Sequence, residues 1–396
     1  MIAVLLATLW TNTAHVERIA AAGATLWVAT AGGVEEYALP AGTRTALYTT
    51  DQGLDSNAVH RVWVEDGVVR VRTERSVCLL RQGRFACSAA EGPLQPVVAV
   101  AGRFNGARET ARLKVGEQTV VATAGAGLWL DGRRITPSGQ ICTNHVEALA
   151  EFQGRLWVGG FDAGLCVLED SGFRTVPTPF RMINDLLATP RGLYVAAGEG
   201  LFVTTDGRTF RREARVRERG ANRLAISGGR LFVTTPSALY EIRLEGRDLV
   251  RRWRNPAGST ALQAVAVSGR AVWLASEDRG VIRFRAGRFE SFDRASGLPS
   301  SWFVDVAPAA GGGVWAATLR NGAVRLDSAG KVRELGAANP NAWGLRLYND
   351  GGTMLFGTQQ GLDGHDLLPD PRVHALLRTA RGLWIGTEGG LALVSR

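Results

Sequence analysis

Ten times along its 396 residues the chain repeats one phrase: a short β-type apolar run, a small-residue pair, then glycine and an aliphatic residue. Leu26-Trp27-Val28-Ala29-Thr30, Leu156-Trp157-Val158-Gly159-Gly160 and Leu383-Trp384-Ile385-Gly386-Thr387 are its clearest forms. Copies start at positions 26, 69, 119, 156, 193, 231, 272, 314, 354 and 383. A period of roughly 40 residues with strand-type content points to a β-propeller, since one blade cannot bury both faces of its sheet alone. The expectation is an all-β chain forming a single β-propeller of about ten blades, with nine as the alternative, each of three to four antiparallel strands. No Pro- or Ser-rich linker divides it, so residues 1–396 read as one domain.

The seventh copy displays the unit. Leu262–Val267 is the inner strand, Ala271–Ala275 the second, Gly280–Phe284 the third and Arg288–Phe292 the outer strand. The second strand is a continuous apolar run, as suits a strand packed on both faces. An aromatic recurs at its second position (Trp27, Trp157, Tyr194, Phe232, Trp273, Trp315, Trp384), and recurrence in register argues for packing between blades rather than a binding surface. Two irregularities stand out. An insertion around 105–110 is expected between the first two strands of blade 3, and the 29-residue spacing before the last copy predicts a truncated blade 9.

The net charge of +9 is carried almost wholly by arginine, Lys114 and Lys331 being the only lysines. The densest cluster, Arg211 to Arg219 and then Arg251, Arg252 and Arg254, falls on predicted outer strands, where charge protects a solvated edge. That reading needs no nucleic-acid partner. Cys78 and Cys87 flank a predicted hairpin and can form a cross-strand disulfide, with Cys142 and Cys166 as a second pair. Disulfides favour a periplasmic or extracellular location. The apolar start, Met1 to Trp10, is too short to span a bilayer. It reads either as a signal remnant or as the strand, residues 2–9, that completes the last blade and closes the ring.

Inner strands line the channel of a propeller. Aligned on their first aliphatic residue, the next position holds Glu17, His60, Glu147, Asn184, Asn222, Gln263, Trp343 and His374, and the position before it holds His15, His145, Trp302 and Arg372. Four of the five histidines thus fall at one ring of the channel mouth. His374, Glu17 and His60 would meet in the closing sector, where two imidazoles and a carboxylate could bind a metal or serve as acid and base. Inner strands of a wide ring stand too far apart for such convergence to be the default, so the residues read first as hydrated polar side chains lining a wet channel and second as direct ligand contacts at its mouth, with no metal and no cofactor expected. Trp302 and Trp343 form a second candidate, a stacking platform for a sugar ring. Ser56-Asn57, Thr143-Asn144 and Thr11-Asn12 read as turn formers. No phosphate loop, Gly-x-Ser-x-Gly elbow or His-Glu-x-x-His motif occurs.

Gly53-Leu54-Asp55-Ser56-Asn57-Ala58-Val59, Gly297-Leu298-Pro299-Ser300-Ser301 with Val314-Trp315-Ala316-Ala317-Thr318, and Leu383 to Leu391 resemble two-component regulator propeller repeats. That resemblance implies an extracytoplasmic sensing propeller that recognises oligosaccharides. The chain shows neither the transmembrane helix nor the kinase region of the hybrid members. The expected function is therefore a non-catalytic, exported ligand-binding or sensory propeller for a small molecule or carbohydrate. A glycan lyase or hydrolase using the same His/Glu ring is one alternative, and a protein–protein scaffold is another. Fold alone does not decide between them.

Overall fold

The computed structural model describes residues 7–94, 102–245, 249–337, 344–363, 365 and 367–395. These form ten antiparallel sheets, one per repeat: residues 16–48, 59–89, 103–134, 146–176, 183–212, 223–254, 262–292, 303–337, 344–358 and 373–394, numbered 1 to 10 in chain order. Eight have four strands, sheet 3 has five and sheet 9 has two. Sheet 9 is thus the shortened unit that the spacing predicts. The extra residues of sheet 3 lie elsewhere than expected. They form a hairpin, Arg103–Phe104 against Ala107–Arg108, that leads into the inner strand Ala107–Val115 rather than following it. Ala7–Trp10 pairs with Gly390–Val394 and supplies the fourth strand of sheet 10. Both disulfides form, Cys78–Cys87 and Cys142–Cys166.

The small-residue pair in each repeat has a packing reason. In sheet 4 a Cβ on Gly159 would stand 2.5 Å from Ile183, the first aliphatic residue of sheet 5. One on Gly357 of sheet 9 would stand 2.7 Å from Val373 of sheet 10. The small position of one sheet is where the next sheet inserts its first inner-strand side chain. Gly386 of sheet 10 plays the same role, and its neighbour, at 2.5 Å, is Val146 of sheet 4.

That contact sets the arrangement of the sheets. One ring of ten would return sheet 10 to sheet 1. Instead sheet 10 packs on sheet 4 through Val146, Ala375, Trp384 and Leu391, and sheets 4 to 10 follow one another in a closed circuit of seven. Sheets 3, 1 and 2 stack in that order beside it. In sheets 5, 7 and 10 of the circuit the second strands, Gly192–Ala197, Ala271–Ser276 and Gly382–Thr387, are buried throughout. In sheet 2 the strand Val68–Thr73 alternates half-buried and buried, with Val69 and Val71 packed on sheet 1. The period-2 pattern of Val-Val-Arg-Val-Arg-Thr reports that one-sided packing.

The stack is stitched to the circuit by the Thr-Asn pairs. Asn12 does form a turn, accepting from the Ala14 amide at 2.8 Å. Its side chain also donates to the Ile141 carbonyl at 2.7 Å, and Asn144 donates to the carbonyls of Asn12 and Ala31, both at 2.8 Å. These asparagines are tertiary clasps as well as turn formers.

The recurrent aromatics pack as expected: Trp27, Trp157, Tyr194, Phe232, Trp273 and Trp384 are all buried. Trp315 is half-buried against the short sheet 9, where Phe356 meets it edge-on at 5.3 Å and Met354 and Leu347 join the same cluster. Gly386→Val is expected to cost about 1–3 kcal/mol, since the added methyls overpack the seam between sheets 10 and 4. Urea denaturation checks this, and an unchanged midpoint would mean that the two sheets are not apposed there.

Candidate functional site

Inner strands and second strands of this fold do not pair evenly. The ladder shifts register between Val146 and Ala148, Ile183 and Asp185, Leu262 and Ala264, and Val373 and Ala375. Each shift leaves one extra residue: Glu147, Asn184, Gln263 and His374. A bulge of this kind re-aims a side chain out of the sheet's alternation. These four belong to the ring of polar positions recognised in the sequence; Asn222 of that ring is not bulged, because sheet 6 pairs without a shift. Glu17 and His60 occupy the same bulge in sheets 1 and 2. In sheet 9 the bulged residue is Leu345, two positions beyond Trp343, which lies outside the described residues.

The predicted residues divide between two places. In the stack, His15 Nε2 is 3.3 Å from Glu17 Oε1, and hydrogen bonding to His15 lowers the Glu17 pKa, with His60 adding its field. In the circuit, His374 joins Glu147 and Glu388 rather than Glu17 and His60. His374 Nδ1 lies 3.2 Å from Glu147 Oε2 and its Nε2 lies 3.2 Å from Glu388 Oε1. The sequence-based trio His374, Glu17 and His60 is therefore split, because sheet 10 neighbours sheet 4 instead of sheet 1.

Around this pair of sheets the site is dense in charge. His145 stacks on Phe161 at 4.9 Å and lies 4.8 Å from the His374 ring. Arg372 is gripped by Asp370 at 2.7 and 2.9 Å and forms an ion pair with Glu388. Burial alone would raise the Glu147 pKa, but His145, His374 and Arg223 outweigh it and hold the carboxylate well below its usual range. Burial likewise opposes charge on His374, yet hydrogen bonds to Glu147 and Glu388 raise its pKa to about 9. Hydrogen bonding to His374 is the main cause of the lowered Glu388 pKa.

Below the mouth, residues that the sequence reading missed fill the axis. Arg346 Nε donates to the His374 carbonyl at 2.7 Å and Nη2 to the Glu147 carbonyl at 3.2 Å, so one side chain ties sheets 9, 10 and 4. Arg223 donates to the Asn184 carbonyl and sits 3.7 Å from Glu147 Oε1. Asp305 accepts from the Leu347 amide of the next sheet at 2.8 Å, and Asp185 accepts from Leu224 at 2.9 Å in the same way. Asp185, Arg223, Asp305 and Arg346 occupy the position after the bulge, or its equivalent in sheet 6. The signal was therefore present one residue along from the ring that was read.

Not every predicted residue is free to meet a ligand. Asn184 donates to the Ala221 carbonyl and Asn222 to the Leu262 carbonyl, each bonding the next sheet. Gln263 donates to Glu277 at 2.5 Å. Trp302 is 43% exposed and Phe161 42%, so two aromatic side chains stand open at the strand-entry face. On the opposite face, two clefts of about 700 and 770 Å³ lie along sheets 10, 4 and 5 and share Gln153, Arg155 and Glu169.

No known protein family matches the sequence, and no curated protein matches it. Solved structures do. The extracellular domain assigned to a hybrid two component system, BT3049 of B. thetaiotaomicron, is similar with a TM-score of 0.56 at 14% identity, over 96% of this chain and 56% of that one. The extracellular domain of BT4673 from the same organism is similar with a TM-score of 0.54 at 11% identity, over 96% of this chain and 71% of that one. This chain spans little more than half the length of the first. At these identities the likeness is one of fold, and the fold these proteins share is the β-propeller.

Proposed function

We propose that this chain is an exported sensory or ligand-binding propeller that takes a small polar molecule or glycan at the mouth of the seven-sheet circuit. The observation that carries the reading is the convergence of bulged and entry residues from sheets distant in sequence: Glu147 and His374 meet, with His145, Arg372 and Glu388 around them. Charged donors and acceptors on a rigid inner wall, with Trp302 and Phe161 exposed on the same face, suit a hydroxylated ligand that offers both hydrogen bonds and a stacking face. Two disulfides support export. The structural neighbours, extracellular domains assigned to one component and two component systems, support a sensory role. In this reading residues 1–396 act as one unit, because Asn12 and Asn144 bond the stack to the circuit.

Binding is favoured over catalysis because both ring nitrogens of His374 face carboxylates, leaving neither beside a hydroxyl to activate. The test is an array of neutral and uronate-containing oligosaccharides, followed by titration of the best binder. His145→Ala and Trp302→Ala are each expected to weaken binding about tenfold or more, the scale of a lost stacking or hydrogen-bonding contact, while Arg155→Ala on the far face leaves it unchanged. Binding lost with Arg155→Ala but retained in the mouth variants would move the site to the far-face clefts. Cleavage of a bound oligosaccharide would favour the enzyme reading.

A further inference from the structure

Two groups of side chains bring three potential metal ligands together among the described residues. Asp55 with Cys78 and Cys87 is one, but those sulfurs are joined in a disulfide and offer no thiolate. His145, His374 and Glu388 are the other, with ligand atoms all within 4.8 Å of one another.

We infer that His145, His374 and Glu388 form a binding site for a divalent transition-metal ion of the zinc class, with one coordination position left open toward the channel mouth. Two ligand atoms each about 2.1 Å from a tetrahedral ion stand roughly 3.4 Å apart. His374 Nε2 and Glu388 Oε1 are 3.2 Å apart, so an ion fits between them with little movement. His145 offers a ring nitrogen within 4.8 Å of the other two ligand atoms, and drawing it in to about 3.4 Å closes the third bond.

The surrounding residues supply what such a site needs beyond its ligands. Metal-bound imidazoles usually carry a carboxylate on the other ring nitrogen, which fixes the tautomer and the orientation. Glu147 does this for His374, with Oε2 3.2 Å from Nδ1, and the same oxygen is 3.5 Å from His145 Nε2. His145 Nε2 is itself buried and has no hydrogen-bond partner. Arg372, held by Asp370, pairs with Glu388 Oε2 and leaves Oε1 turned toward His374. Phe161 covers the outer face of the His145 ring. Two imidazoles and one carboxylate with an open position is the donor set of sites whose ion also binds a water or a ligand oxygen. Side-chain exposures of 29% for His145 and 27% for Glu388 leave the position reachable from solvent. The site differs from the trio expected from the sequence, and it stands whether or not the mouth takes a glycan.

The experiment uses the full chain without a polyhistidine tag, stripped with EDTA and dialysed, and titrates zinc chloride by calorimetry. One equivalent is expected to bind. His374→Gln and Glu388→Gln should each weaken the affinity by more than about tenfold, and His60→Gln, in the separate cluster of sheets 1 and 2, should not. A cobalt titration of the wild-type protein gives a readout independent of variant folding, with intense visible bands of a four-coordinate ion saturating at one equivalent. Zinc bound equally by wild type and both variants would overturn the proposal, as would the absence of stoichiometric zinc and of those cobalt bands.

Discussion

Arg346→Ala is expected to lower the stability of the whole chain by about 3–5 kcal/mol, the cost of leaving buried partners of a lost charge unpaired. Arg346 is nearly buried, with only 12% of its side chain exposed. Its guanidinium satisfies the carbonyls of His374 and Glu147 and stands 4.0 Å from Asp305 Oδ2. Removing it strips donors from two inner strands at once and leaves the Asp305 carboxylate beside fewer donors, held then by backbone amides. Burial and the neighbouring Arg223 both lower the Arg346 pKa, and the nearby carboxylates Asp305, Asp185 and Glu147 oppose that shift. Lysine is expected to restore little, since one ammonium cannot reproduce a planar fork that serves separate acceptors. Urea unfolding decides the matter. A loss below about 1 kcal/mol, the range of ordinary substitutions, would mean that the axis is not packed as described.

Trp384→Ala is expected to cost a similar amount, about 3–5 kcal/mol, through the cavity left in the seam between sheets 10 and 4. Trp384 is 1% exposed, its ring centroid lies 5.2 Å from that of Trp10, and its Nε1 donates to Thr379 Oγ1 at 3.1 Å. Trp10 in turn meets Phe173 of sheet 4 edge-on at 6.3 Å. The residue therefore joins three segments: the N-terminal strand, the last sheet and the fourth. Trp302→Ala is the contrast, since an exposed tryptophan away from the core should move stability by no more than about 0.5 kcal/mol. Equal effects of the two substitutions would contradict the assignment of Trp384 to the core and Trp302 to the surface.

How far the sequence could be read follows from what is local. The second strand of each repeat, its aromatic and its small pair recur every 40 or so residues, because the same local packing recurs between neighbouring sheets. The Cys78–Cys87 pair was legible for the same reason, its two residues lying directly opposite across one hairpin. The order of the sheets was not. Val146 meeting Gly386 joins residues that are far apart in the chain, and Val146 looks like every other first aliphatic residue. Placing sheet 10 beside sheet 4 rather than sheet 1 then moved His374 from Glu17 to Glu147. The polar ring was visible because a bulge repeats at one position, whereas Glu388 and Phe161 sit at the exits of second strands, where nothing in the repeat marks them. Asp370 and Arg372 repeat the entry turn of Thr143–His145 and Ser300–Trp302, in which the first side chain accepts from the amide two residues on; Arg372 was legible in that register, whereas its ion pair with Glu388 was not.

Everything proposed for the mouth depends on the last sheet lying against the fourth. A crystal structure of the full chain tests that most directly. The account predicts Val146 seated against Gly386 and the His374 ring held between Glu147 and Glu388. Sheet 10 found against sheet 1, with Glu147 and His374 on separate parts of the molecule, would contradict it.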